Sequence, residues 1–192
     1  MAADPAPPAP ARPARGQSAP GGARIDRPIV LVGLMGVGKS TVGRRLAQRL
    51  GLPFVDADDE IVAAAGMPIT EIFERYGEPY FRDGERRVIA RLIDGTPKVI
   101  ATGGGAFMNA ATRALILDKA IAIWLDADVD TLVARVKRRE TRPLLKGRDP
   151  RAVLTALAAE RNPVYALAPI RIRSNASPHQ QTVRAILKAL NA

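Results

Sequence analysis

Short apolar runs alternate along the chain with longer amphipathic stretches. "IVLVG" (29–33) is apolar throughout and reads as a buried strand; Lys39 to Leu50 then spaces its apolar residues as a helix does and stops at Gly51. "PFVDA" (53–57) predicts a second strand, "KVIAT" (98–102) a third, "AIAIWL" (120–125) a fourth and "IRI" (170–172) a short fifth. Residues 58–65 read as a helix ended by Gly66, and Thr70 as the cap of another that runs to Ile93 with a break near Gly77 and Pro79. Further helices are opened by Asn109, by Asp128, by Asp149 with Pro150, and by Ser177 with Pro178. Parallel neighbours need long crossovers, so strands separated by helices predict a parallel sheet covered on both faces. The expected fold is α/β: a three-layer, doubly wound, five-stranded parallel sheet. Ligands of such sheets lie at the carboxyl ends of the strands, here the loops after Val32, Val55, Thr102, Leu125 and Ile172.

Composition changes this picture mainly at the start of the chain. Of 192 residues 47% are hydrophobic, enough for one substantial core, but the first 27 are built from Ala, Pro, Gly and Arg with no aromatic residue. They read as a disordered tail ahead of a single domain spanning 28–192. The arginines and scarce acids fit an organellar targeting peptide, yet the prolines forbid an amphipathic helix and the apolar content is too low for a secretory signal. No stretch approaches a membrane span, and the absence of cysteine removes disulfides, thiolate metal sites and thiol nucleophiles. A soluble cytoplasmic protein, monomeric by default, is the expectation.

The net charge of +10 raises nucleic acid as a ligand, and its distribution argues against it. Most of the excess lies in one cluster, where Arg135, Lys137, Arg138, Arg139, Arg142, Lys146, Arg148 and Arg151 face only Glu140 and Asp149. That cluster has no interleaved aromatic residues, and with 4% aromatics overall the chain offers no platform for base stacking.

"GLMGVGKST" (33–41) spells G-x-x-x-x-G-K-S between a predicted strand and a predicted helix. In that setting the glycines let backbone N–H groups converge on phosphate oxygens, Lys39 reaches the β- and γ-phosphates, and the Ser40 hydroxyl ligates Mg²⁺. The predicted ATP contacts are Gly36, Val37, Gly38, Lys39, Ser40 and Thr41. Asp56 and Asp58 end the second strand two residues apart, so both side chains are expected to face the same cavity. One is suited to the metal's water shell, the other to accepting a proton from an attacking hydroxyl. The competing reading is that an aspartate here caps the following helix, with Asp58 and Asp59 the contenders.

Taken with "GEPYFRDGE" (77–85), "TGGGA" (102–106), "RPLL" (142–145) and "ERNPVY" (160–165), the pattern closely resembles the shikimate kinase family, P-loop enzymes of the nucleoside monophosphate kinase fold, from about residue 28 to 190. The resemblance implies ATP as co-substrate, one Mg²⁺ per subunit and shikimate as acceptor, giving shikimate 3-phosphate. It places Asp56 near the metal through water and Asp58 on the receiving hydroxyl. Arg82 and Arg161 then hold the substrate carboxylate, which two guanidinium forks bind bidentately, and Glu85 orients Arg82 or a substrate hydroxyl. Gly103, Gly104 and Gly105 offer a backbone N–H to the substrate or to the γ-phosphate. A mobile lid is implied at about 140–149, with Arg142 neutralising the transferred charge and closure excluding water. Arg135 takes the adenine-stacking position, with Arg138 or Arg139 as alternatives if the helix register differs, and Ser177 and Pro178 border the base. Rival readings are another small-molecule kinase of this fold, such as a gluconate or nucleoside monophosphate kinase, and a non-catalytic or RNA-binding P-loop protein. His179, the sole histidine, is expected at the surface, and the four methionines, Met35 among them, as packing residues.

Overall fold

β1 (Ile29–Val32) has no exposed residue, because strands flank it on both sides and helices cover both its faces. The computed structural model describes residues 25–136, 147–174 and 178–191. β2 (Phe54–Asp56), β3 (Val99–Ala101), β4 (Ile121–Asp126) and β5 (Ile170–Arg173) complete a five-stranded sheet in the order β2-β3-β1-β4-β5. Every pairing is parallel, with Leu31 of β1 opposite Ala101 of β3 and Ile123 of β4. Each crossover runs through helix: α1 (Lys39–Leu50), α2 (Ala57–Ala65), α3 (Ile69–Leu92), α4 (Ala110–Lys119), α5 (Val129–Val136) and α6 (Pro150–Tyr165); α7 (His179–Leu190) follows β5.

The predicted elements and their caps recur with few changes. Asn109, Asp128 and Asp149 each accept a hydrogen bond from a backbone N–H in the first turn of the helix that follows, worth about 1 kcal/mol apiece. Gly51 and Gly66 end α1 and α2 in the left-handed conformation. Two boundaries differ. Thr70 lies inside the first turn of α3, and Pro68 holds the cap position, its fixed φ of −61° leading into the helix. α3 bends at Gly77 (φ 78°, ψ 173°), two residues before Pro79, whose ring cannot follow a residue in helical register. Ser177, predicted to open α7, lies outside the described residues, as do 1–24 of the predicted tail; α7 is headed by Pro178 without a side-chain cap.

Candidate active site

The cradle at the end of β1 is shaped by its last glycine. Gly38 has φ 100°, a conformation that L side chains rarely adopt, and this turns the chain out of the loop and into α1. α1 has neither a side-chain cap nor an acidic residue in its first turn, so its leading N–H groups and the positive end of its dipole remain available to an anion. Lys39 is buried, and its Nζ donates to the carbonyls of Gly33 (2.7 Å) and Leu34 (3.0 Å), which bends the side chain back over the loop.

A cavity of about 340 Å³ opens on this loop. Gly36, Gly38, Lys39, Ser40 and Thr41 line it from the cradle, Asp56, Asp58, Thr102, Gly103 and Gly104 from the neighbouring strand ends, with Met35, Arg135 and His179 also in the wall. A larger, more apolar cavity of about 400 Å³ lies between α2 and α3 against Phe81, but no phosphate cradle or carboxylate faces it. Val37 does not line the site by its side chain, which is buried in the core; its carbonyl accepts from Arg135 Nη1 (3.0 Å) and Ser174 Oγ (3.1 Å). Arg135 is thereby tied to the cradle, and burial lowers its pKa.

The two aspartates share the cavity for a reason other than strand alternation. β2 ends at Asp56, whose Oδ1 accepts from the N–H of Asp58 (3.1 Å) and so caps α2. Asp58 sits in the first turn of α2. Capping therefore belongs to Asp56, not to Asp58 or Asp59, and the helix entry turns both carboxylates toward the cradle.

Opposite them the glycine turn after β3 gathers the remaining predicted groups. A methyl group on Gly103 would lie 2.7 Å from Glu85 Oε1 and 3.0 Å from Asp58 Oδ1, and one on Gly105 would lie 2.6 Å from the Arg82 guanidinium carbon, so this close approach needs glycine. The same construction at Gly104 comes within 3.8 Å of Arg161 Nη1. Arg82 Nη1 donates to Glu85 Oε2 (2.8 Å), and its Nη2 and Nε donate to Glu78 Oε1 (2.9 and 3.1 Å). Glu85 is 3% exposed, and its Oε1 has no hydrogen-bond partner among the described residues. Burial raises the Glu85 pKa, with the negative charge of Asp58 adding to the effect and Arg82 only partly opposing it.

Two residues take roles that spacing did not reveal. Tyr165 is fully buried, its hydroxyl donates to the carbonyl of Gly104, and burial pushes its pKa up to about 12. It lies one helical turn beyond Arg161, so α6 delivers an arginine and the anchor of the glycine turn together. The signal was present in "ERNPVY", where arginine and tyrosine are four apart. His179 is no plain surface residue: it lines the cavity, and a methyl group on Gly38 would meet its ring at 3.0 Å. Met35 both packs against the core and lines the cavity. Pro178 heads α7 immediately before His179, whereas Arg142, Arg138, Arg139 and Ser177, with residues 140–146 of the expected lid, lie outside the described residues.

Known proteins of the same build bear on this arrangement. A family model described as shikimate kinase matches residues 35–191. A shikimate kinase of Novosphingobium aromaticivorans is 64% identical over 175 residues, covering 88% of this chain and 90% of that one. One of Caulobacter vibrioides is 62% identical over 164 residues, covering 85% and 82%. The solved structure of shikimate kinase from Acinetobacter baumannii in complex with shikimate superposes with a TM-score of 0.81 at 37% identity, over 85% of this chain and 92% of that one. A gluconokinase from Sinorhizobium meliloti, at 21% identity and a TM-score of 0.60 over 88% and 93% of the two chains, shares the fold. With a phosphate cradle, paired carboxylates and two arginines placed around one glycine turn, and with relatives of this identity, the chain belongs to the shikimate kinase family.

Proposed function

We infer that the chain transfers the γ-phosphoryl group of ATP to the 3-hydroxyl of shikimate, releasing ADP and shikimate 3-phosphate on the route to aromatic amino acids. The observation that carries this reading is the convergence at residues 103–105 of Asp58, Glu85, Arg82 and Arg161 beside the phosphate cradle. The cradle N–H groups and Lys39 hold the triphosphate. Asp58 takes the proton of the acceptor hydroxyl, whose oxygen forms the new bond to the γ-phosphorus as the bond to the β–γ bridging oxygen breaks. Arg82 and Arg161 hold the carboxylate, and the unpartnered Glu85 Oε1 is suited to accept from a ring hydroxyl. Arg135, with Pro178 and Ser177, borders the adenine, and Arg142 supplies charge at the γ-phosphate.

Mg²⁺ suits the donors present. Ser40 and Asp56 line the same cavity, so the Ser40 hydroxyl and, through water, the Asp56 carboxylate would hold the ion there, hard oxygen donors of the kind Mg²⁺ prefers. When bound, it neutralises charge on the β- and γ-phosphates. No helix among the described residues is long and apolar enough to cross a membrane. The protein is read as a cytoplasmic monomer with no nucleic-acid partner.

A coupled ADP-release assay with shikimate, gluconate and nucleoside monophosphates tests the acceptor: only shikimate is expected to stimulate turnover, and stimulation by gluconate or a nucleoside monophosphate alone would assign the chain to that other small-molecule kinase activity. Arg161→Lys replaces a planar fork by a point charge, so KM for shikimate should rise about 10- to 100-fold, the loss of one charged hydrogen bond, with KM for ATP unchanged. Equal rises in both constants would argue against a carboxylate contact.

Glu85 carries a prediction with opposite signs for activity and stability. Its raised pKa means that it protonates above the usual glutamate range, so KM for shikimate should climb as pH falls toward that range, because protonated Glu85 no longer holds Arg82 as an ion pair. A group whose folded pKa is raised contributes stability at low pH that is lost as pH rises through that pKa. Glu85→Gln, permanently neutral, should therefore raise Tm at neutral pH and raise KM for shikimate with little remaining acid dependence. A lower Tm would show that the Arg82 pair outweighs burial.

A further inference from the structure

α1 and α7 enclose a further cavity of about 300 Å³, outside the catalytic one. Arg45 and Arg49 of α1 and Arg184 of α7 line it, with Gln180 beside them and the apolar side chains of Val183 and Leu187 in the wall. The charge of this place is unlike that of the rest of the described chain. Apart from Arg148, every described arginine outside the cavity has a carboxylate or carbonyl partner, from Arg44 with Asp59 to Arg171 and Arg173 with Asp126. Among the described residues, Arg45, Arg49 and Arg184 have no such partner. Nor can the two helices supply one: "KSTVGRRLAQRL" and "HQQTVRAILKAL" contain no aspartate or glutamate.

Surface helices ordinarily interleave both signs, because like charges at neighbouring positions repel. Here three guanidiniums from two helices line one concave wall uncompensated, an arrangement that an anion stabilises. Each fork takes two oxygens, so three forks spread over two helices match more than one anionic group. We propose that the α1/α7 groove is a binding site for a small anion carrying two phosphoryl groups, with Val183 and Leu187 packing against its organic part. A linked diphosphate and two phosphoryl groups separated on one small molecule share this chemistry.

The test uses the full chain with its catalytic site saturated by ADP, excess Mg²⁺ and shikimate, so that the probe cannot occupy the cradle. Inorganic pyrophosphate and fructose 1,6-bisphosphate are titrated separately by calorimetry against sodium chloride at matched ionic strength. Binding of pyrophosphate alone identifies a linked diphosphate, and binding of the bisphosphate alone identifies separated groups. With either, Arg45→Gln/Arg184→Gln should weaken binding at least about tenfold while kcat and both KM values without probe stay unchanged. No binding of either probe beyond the chloride control, or equal affinity in the variant, overturns the proposal. So does capture of anionic vesicles or acidic peptides by a protein that binds neither probe.

Discussion

Arg142→Ala is expected to lower kcat by about 10³- to 10⁵-fold while KM for ATP changes only a few-fold. The reason is a shortage of mobile positive charge at the γ-phosphate. Among the described residues only Lys39 and Arg135 bring a basic side chain other than the histidine to the cavity wall. Lys39 is bent onto the carbonyls of Gly33 and Leu34, and Arg135 is engaged by Val37 and Ser174. Phosphoryl transfer develops charge on the moving group and on the leaving oxygen, and an additional guanidinium there acts on the transition state more than on bound ATP. Arg142 is the basic residue that the family resemblance assigns to this task. If residues 140–149 close over the site as the family resemblance implies, the variant should also raise the ratio of ATP hydrolysed to shikimate phosphorylated, since water then reaches the γ-phosphate. Single-turnover measurements separate the chemical step from product release; kcat within tenfold of the unaltered protein would remove Arg142 from the mechanism.

Asp58→Asn should reduce kcat by about 10²- to 10⁴-fold, the usual contribution of a positioned general base. Asparagine keeps the shape and cannot accept the proton. The informative comparison is Asp56→Asn, because asparagine caps a helix about as well as aspartate and so leaves α2 in place. That variant should raise the Mg²⁺ concentration needed for half-maximal rate, whereas Asp58→Asn should leave it unchanged. If both variants shift the Mg²⁺ requirement alike, the two carboxylates do not divide the work.

Local features of the site were legible because their physics is local. A glycine loop between strand and helix specifies its own backbone, so the cradle and the first residue of α1 agree to the residue with the reading of "GLMGVGKST". Caps at Asn109, Asp128 and Asp149 depend on a side chain reaching two or three residues ahead, and they too were readable. Asp56 and Asp58 illustrate a right neighbourhood reached by the wrong geometry. The strand ends one residue earlier than its apolar run predicts, and the cap hydrogen bond, not strand alternation, presents Asp58. Thr70 failed as a cap because Pro68 enters the helix two residues sooner.

The amino-acid sequence by itself determined the order of strands and helices, the parallel sheet, the glycine loop that leads into α1 and, through motif resemblance, the family. Those follow from periodicity, capping and contiguous motifs, whose interactions span a few residues. Tertiary structure decided which distant groups meet. It brought Glu85 and Asp58 together against Gly103, hung the Gly104 carbonyl on Tyr165, and carried His179 from the head of α7 onto Gly38. It also placed Arg184 beside Arg45 and Arg49, more than 130 residues apart in the chain. Side-chain periodicity names the face of a helix that is covered but not what covers it, and burial, raised pKa and uncompensated charge all arise from that neighbour.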